Sequence, residues 1–374
     1  MMSRASFRRI VIPVLGAAIV GAVFVAWMWG SRGVSAQAPA AATDQYVVND
    51  THLHLTNYIQ EGTSMRAFVH MMGTTVGRAA VFGIPLQQQW SYGNTGDFAP
   101  TYYLQTDAPL YYYSFTDAAI AMAYRSLTPA EQARLDPMIT GFNPTDMYAA
   151  DHVRRVLTTF PGVFSGIGEF TIHKEFVSSK IAGETASLTN PALDRLLDFA
   201  GDVGLVALIH NDVDAPFPKP GQEPYQVLQL RDLFARHPKT TIIWAHIGLG
   251  RVIRPLKDQV GIIDRMLSNP AQNHVYVDLS WDETAKYIVS SPETIAATAD
   301  LINRHPDRFL FGTDEVAPAN QTAHLKVYRM YAPLFARLTA AASEQVRKGN
   351  YERLFDEARR RVRAWEAANT KGTH

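Results

Sequence analysis

Tyr46-Val47-Val48-Asn49-Asp50-Thr51-His52-Leu53-His54 is the stretch on which the reading of this chain turns. Its apolar start, Tyr46-Val47-Val48, reads as a β-strand that ends in a polar segment. Side chains alternate faces along a strand, so His52 and His54 point the same way. Two imidazoles on one face at a strand end are what a divalent metal needs. An H-x-H pair also occurs on solvated surfaces, so its meaning depends on what the other strand ends supply.

Apolar, β-branched runs recur downstream and alternate with helical patterns. Strands are expected at 46–49, 79–84, 138–142, 163–170, 205–210, 241–246, 275–279 and 309–312, with amphipathic helices such as Tyr225–Arg236 and Pro292–Arg304 between them. Continuous apolar strands alternating with helices indicate a parallel sheet covered on both faces. Eight such units predict an α/β fold of the (β/α)8 TIM-barrel type.

Spacing supports the barrel independently. Pro161, Pro238 and Pro306 each end a helical segment, and the last two stand in Arg-His-Pro triplets, a cationic last turn followed by a helix stop. Eight residues after each proline comes a metal-competent side chain: Glu169, His246 and Asp314. A constant distance from helix stop to polar residue puts each at the C-terminal end of its strand, and in a barrel those ends share one rim.

The segment 87–116 departs from the pattern. It carries Trp90, Tyr92, Phe98, Tyr102, Tyr103, Tyr111, Tyr112, Tyr113 and Phe115 without helical period. As an aromatic-rich insertion after strand two, it either walls a pocket over the rim or packs as a satellite cluster on the barrel. The tail from His324 to Ala368 reads as C-terminal helices, punctuated by Gly349 as a C-cap and Asn350 as the next N-cap.

With 374 residues, 47% of them hydrophobic, the chain has material for a large core. Lys+Arg and Asp+Glu are both 35, so no basic excess exists to bind a phosphate backbone, which argues against nucleic-acid partners. Cysteine is absent, so a metal site must be built from His and carboxylates. Residues 1–43 read as an export signal or membrane anchor with an Ala/Pro-rich linker: Arg4, Arg8 and Arg9 precede an uncharged, mostly apolar run from Ile10 to Gly30. Residues 44–374 are then expected to form one domain beyond the inner membrane, in the periplasm, either released or anchored.

Strand ends collect His52, His54, Glu169, His210, His246 and Asp314, a set of four imidazoles and two carboxylates suited to Zn, Mn or Fe. His237 and His305, in the helix-stop triplets, read as structural, and His173 either touches substrate or stands as a solvated loop residue. Asp212, Asp214, Arg251, Trp281 and Asp282 follow strands and either line the pocket or cap helices.

With these residues in place, the chain resembles the metal-dependent amidohydrolase superfamily, in its amidohydrolase-related branch. The resemblance rests on D-x-H-x-H at Asp50–His54, Gly168-Glu169, the strand-end histidines, Ala245-His246-Ile247-Gly248, Gly312-Thr313-Asp314 and the late run Gly349-Asn350-Tyr351-Glu352-Arg353-Leu354-Phe355. It implies that His52, His54, His210 and Asp314 hold a first ion. Glu169 would bridge to a second, where many relatives use a carboxylated lysine, and Lys174 lies too far along to take that place. His246 would be a second-site ligand, or in a one-metal enzyme would hydrogen-bond the reactive water. Asp314 would double as general base. The activity implied is hydrolysis of a C–N or C–O bond in a small-molecule substrate, with a metal-dependent non-oxidative decarboxylase of an aromatic or muconate-like acid as the alternative. A homo-oligomer is compatible with either. Retention of all six strand-end residues argues against a catalytically inert binding protein.

Overall fold

The strand that begins near Tyr46 does not stop at Asn49. In the computed structural model, which describes residues 46–100, 105–106, 108–175, 177–178, 185–214, 219 and 222–370, β1 spans Val48–His54 and is buried throughout. Its polar residues remain in the strand because each finds partners. Asp50 accepts the N–H groups of His52 (3.0 Å) and Thr313 (2.9 Å), and Thr51 Oγ1 donates to Phe311 O at 2.8 Å. Buried polar groups are costly only when left unpaired.

The remaining strands are β2 Val76–Phe82, β3 Leu135–Ile139, β4 Gly166–Lys174, β5 Val206–Asn211, β6 Thr241–Trp244, β7 Val275–Asp278 and β8 Phe309–Leu310. Neighbours in chain order pair in parallel from β1 to β8. The ring closes just beyond β8, where Glu315–Val316 pairs in parallel with Leu53 and His54 of β1. The result is the (β/α)8 TIM barrel expected from the pattern. A further departure in extent is β4, which continues past Phe170 to Lys174 and carries two register shifts in its pairing with β5.

Alternation sorts the strands into two faces. Ala80, Phe82, Met138, Val206, Leu208, Ile243, Tyr276 and Leu310 form the inner cluster, while their neighbours Ala79, Val81, Ile139, Ala207, Ile209, Ile242, Val275 and Val277 belong to the outer layer that packs on the helices. Helices α1 Ala149–Thr159, α2 Tyr225–Arg236 and α3 Pro292–Arg304 end just before the predicted proline stops. At the last two stops the C-cap histidines bridge to acids: His237 to Asp194 and Asp198, His305 to Asp264.

Gly349-Asn350 is not a helix break. Gly349 has φ −58° and ψ −41°, and a π-helical turn over Gln345–Gly349 runs directly into α4, Asn350–Asn369. The wide turn presents Val346 O to Phe311 N–H (3.0 Å), and Asn350 Nδ2 donates to Pro306 O and Phe309 O at 2.8 Å each. Tertiary partners thus replace the caps that the sequence suggested.

The insertion forms an antiparallel hairpin, Leu86–Gln88 with Leu110–Tyr112. Ile84, Leu86 and Leu110 make a small separate core against Tyr58 and Tyr112. Tyr102, Tyr103 and the segment 1–43 lie outside the described residues. Among the described residues, no helix is long and apolar enough to cross a membrane.

Candidate metal centre

Strand alternation brings His52 and His54 to one face, with ring centroids 5.3 Å apart. His52 Nε2 lies 3.2 Å from Asp314 Oδ1 and 3.6 Å from Glu169 Oε2. His54 Nε2 lies 3.0 and 3.2 Å from the same two oxygens. His246 Nε2 is 3.2 Å from Glu169 Oε1. One donor atom each from His52, Glu169, His246 and Asp314 fall within 4.8 Å of one another. Ligands arranged tetrahedrally about 2.1 Å from an ion stand roughly 3.4 Å apart, the scale of these contacts.

Two of these residues leave the regular strand to reach the centre. β6 ends at Trp244, and the tight turn Ala245–Gly248 carries His246 at φ 58°; the sequence had placed it within the strand. Asp314 sits at φ 53° between β8 and the closing segment. Left-handed backbone at a non-glycine residue costs about 1–2 kcal/mol and persists where surroundings over-determine it. Here the N–H of His246 donates to Asp278 Oδ1 (2.8 Å) and that of Asp314 to His52 O (2.7 Å).

Charge is balanced inside the cluster. Burial pushes the Glu169 and Asp314 carboxyls up, but neighbouring imidazoles, His210 and His52 for Glu169 and His52 and His246 for Asp314, hold both well below the usual range. Burial pushes His52 down, yet Asp314, Glu169 and Asp278 raise it well above its ordinary value. His54 is raised by the same two carboxylates against its burial. Burial dominates at His246, which is lowered.

His210 stands apart from the four. Its Nδ1 lies 2.6 Å from Glu169 Oε1 and its Nε2 3.0 Å from Asp212 Oδ1, so both ring nitrogens face carboxylates. Burial and Lys174 push its imidazolium down; Asp212 and Glu169 more than offset them, and the net shift is upward.

Two residues that the sequence reading passed over lie behind the cluster. Asp278, fully buried at the end of β7, contacts His52 Nδ1 (2.9 Å), and Ser280 Oγ contacts His246 Nδ1 (2.8 Å). Alternation in Val275-Tyr276-Val277-Asp278 signals that Asp278 faces inward with Tyr276. The signal was overlooked because Asp278 read as interior strand.

Of the other candidates, Trp281 packs 5.1 Å from the His246 ring, and Lys174 Nζ sits 4.6 Å from the Trp281 ring centroid. Arg251 lies 5.8 Å from the same ring. His173 is buried rather than solvated and bonds Asp214 at 2.6 Å. Asp282 pairs at the surface with Lys326. A cleft of about 400 Å³, part of it open to solvent, adjoins the cluster, with His54, Glu169, Phe170 and Lys174 from the barrel and Leu86 and Tyr112 from the hairpin among its lining. Lys174, read as too far along the chain to take the bridging place of Glu169, lines the same cleft. Both roles suggested for the insertion are realised, since its satellite core is also a cleft wall.

The donor set fits a divalent cation. His52 Nε2 is sealed from solvent and makes no hydrogen bond although two carboxylates face it. Imidazole lone pairs and carboxylate oxygens gathered at this spacing are all acceptors and can share only a cation. Nitrogen and oxygen donors without thiolate suit Zn, Mn or Fe.

Comparison with known proteins agrees with this architecture. The chain resembles an uncharacterized TIM-barrel protein of Bordetella bronchiseptica (15% identity, TM-score 0.52, covering 83% of this chain and 99% of that one). It also resembles an amidohydrolase of Burkholderia multivorans with bound Zn (13%, 0.52, 83% and 99%) and 2,6-dihydroxybenzoate decarboxylase from Rhizobium (12%, 0.52, 83% and 99%). At these identities the likeness concerns the fold. No curated protein matches at the sequence level. The amidohydrolase family model matches residues 50–356, from the acid that opens D-x-H-x-H to the first turns of α4, and the chain belongs to the amidohydrolase family.

Proposed function

We propose that this protein is a metal-dependent hydrolase that cleaves an amide, ester or lactone bond in a small-molecule substrate. The observation that carries the reading is the convergence of His52, Glu169, His246 and Asp314 within 4.8 Å at the barrel rim. His54 touches both carboxylates and His210 buttresses Glu169. Together these six side chains would hold one or two divalent ions, with Zn as the first choice and Mn or Fe also suited. When bound, such an ion polarises a carbonyl and lowers the pKa of its water toward about 7.

The chain's own groups supply the rest. Asp314, held as a carboxylate, accepts a proton from the attacking water at Oδ and returns it to the leaving nitrogen or oxygen. Leu86, Tyr112 and Phe170 offer an apolar wall for the body of the substrate, and Lys174 offers a cation on the same cleft.

One observation favours a decarboxylase as the second reading. Among the described residues the donors form a single compact group, which one ion can satisfy. Metal analysis and a panel of esters, lactones, amides and aromatic acids separate the two. Hydrolysis of a panel member, with Asp314→Asn lowering kcat by about 10²-fold or more, supports the hydrolase. Full turnover and full metal in Asp314→Asn would remove its role as base. One ion per chain, CO2 release from an acid and a harmless Glu169→Gln would establish the decarboxylase instead.

A further inference from the structure

Asp278 and Ser280 lie at the end of β7 between the imidazoles of His52 and His246. Asp278 has no exposure to water and accepts four hydrogen bonds. They come from His52 Nδ1 (2.9 Å), the backbone N–H groups of His246 (2.8 Å) and Ser280 (3.1 Å), and Ser280 Oγ (2.6 Å). A carboxylate surrounded by donors offers no proton, so the Ser280 hydroxyl must point its hydrogen at Asp278. Its oxygen lone pairs then face His246 Nδ1 at 2.8 Å and His52 Nδ1 at 3.1 Å. Both imidazoles are therefore required to carry their hydrogen on Nδ1. A ring that yields its second proton to a metal keeps a single N–H, which leaves the lone pair of each ring on Nε2, the atom turned toward Glu169 and Asp314.

We infer that Asp278, directly for His52 and through Ser280 for His246, is the positioning residue that sets the tautomer and orientation of two metal-binding histidines at once. The inference rests on the metal-site reading proposed above and adds to it the group that presets the site. Asp278 also fixes the backbone N–H of the left-handed His246, so one carboxylate controls where that ring starts and which nitrogen it presents. Outer partners of this kind are worth about 10–100-fold in metal affinity.

The test is the Zn²⁺ affinity of the metal-free full chain, by competition with a chromophoric chelator, together with the absorption spectrum of the Co²⁺-loaded protein. The variants are Asp278→Asn, Ser280→Ala and Ser280→Thr. Asp278→Asn places an amide N–H against His52 Nδ1 and is expected to weaken Zn²⁺ binding about 10–100-fold and to alter the Co²⁺ spectrum. Ser280→Ala is expected to weaken binding by a smaller factor, and Ser280→Thr, which keeps the hydroxyl, to restore it, with the metal-free melting temperature alike in both. If Asp278→Asn fails to fold, the Ser280 pair carries the comparison alone. Parental affinity in both Asp278→Asn and Ser280→Ala, or a loss in Ser280→Ala that Ser280→Thr does not recover, overturns the inference while leaving the metal site standing. A parent that binds no divalent ion overturns the metal-site reading and this inference with it.

Discussion

Asp136 shows at the scale of one residue what a fully buried charge requires. Its oxygens accept Arg78 Nη2 (3.0 Å), Arg359 Nε (2.5 Å) and the Tyr351 hydroxyl (2.7 Å). Burial pushes its carboxyl up, but the two guanidiniums and the Tyr351 hydrogen bond hold it below the usual carboxylate range. A depressed folded pKa means stability that is present above the unfolded value, near 3.9, and is lost as pH falls through the lower folded value. Asp136→Asn should therefore cost about 3–5 kcal/mol at pH 7, because it leaves Arg78 half-matched in a buried setting. Urea unfolding at pH 7 and in acid checks both parts, with the difference between parent and variant expected to shrink as pH falls below the unfolded value near 3.9. A pH 7 difference under about 1 kcal/mol would sink the account. At the candidate metal centre the same physics works in another direction: the raised imidazoles of His52 and His54 and the lowered carboxyls of Glu169 and Asp314 are groups for which a divalent ion would compete with protons.

Among the elements, α4 is the one whose job is least evident from its pattern. Tyr351, Leu354, Phe355 and Ala358 recur at helical spacing and join the inner cluster with Ala80, Met138, Leu208 and Leu310. An apolar stripe on a C-terminal helix reads as packing against other helices, yet here it enters the barrel's own core. Phe355 is completely buried. Phe355→Ala is expected to lower stability by about 3–5 kcal/mol with the Zn²⁺ affinity of the folded protein unchanged. Denaturant titration and chelator competition on the same sample test this, and a large affinity loss would mean that plug and rim are coupled. The hairpin is the opposite case. Its core of Ile84, Leu86 and Leu110 is separate from the barrel's, so it shapes the cleft while contributing little to the ring. Leu86→Ala should raise KM for a substrate found in the panel by roughly tenfold, with kcat and metal content near parental; an unchanged KM would remove the hairpin from the substrate's path.

Across the whole molecule the site exists because a ring of strands ends on one rim. His52 and Asp278 are separated by 226 positions in the chain and by 2.9 Å in space. Asp50 ties the start of the ring to its end, accepting Thr313 Oγ1 at 2.7 Å and His324 Nε2 at 2.8 Å, so closure and the placement of Asp314 are one event. Much of this was legible in one dimension. Strand and helix periods, proline stops and the eight-residue offset are local quantities, and they sufficed for the barrel and for naming the side chains that gather at its rim. Their grouping was not legible. Periodicity says which face a residue occupies and not which residue from another strand meets it there. Hence His210 could be listed but its two carboxylate partners could not, and Asp278 went unremarked. The Gly349-Asn350 pair misled for a related reason: capping propensity is a local preference of about 1 kcal/mol, and the tertiary hydrogen bonds of Asn350 and Val346 outweigh it. The sequence alone determined the strand-helix alternation and the chemistry available at the strand ends, because both follow from short-range periods. Only the tertiary structure decided which four donors share a centre and which carboxylate stands behind them, because those choices depend on register and closure between distant strands.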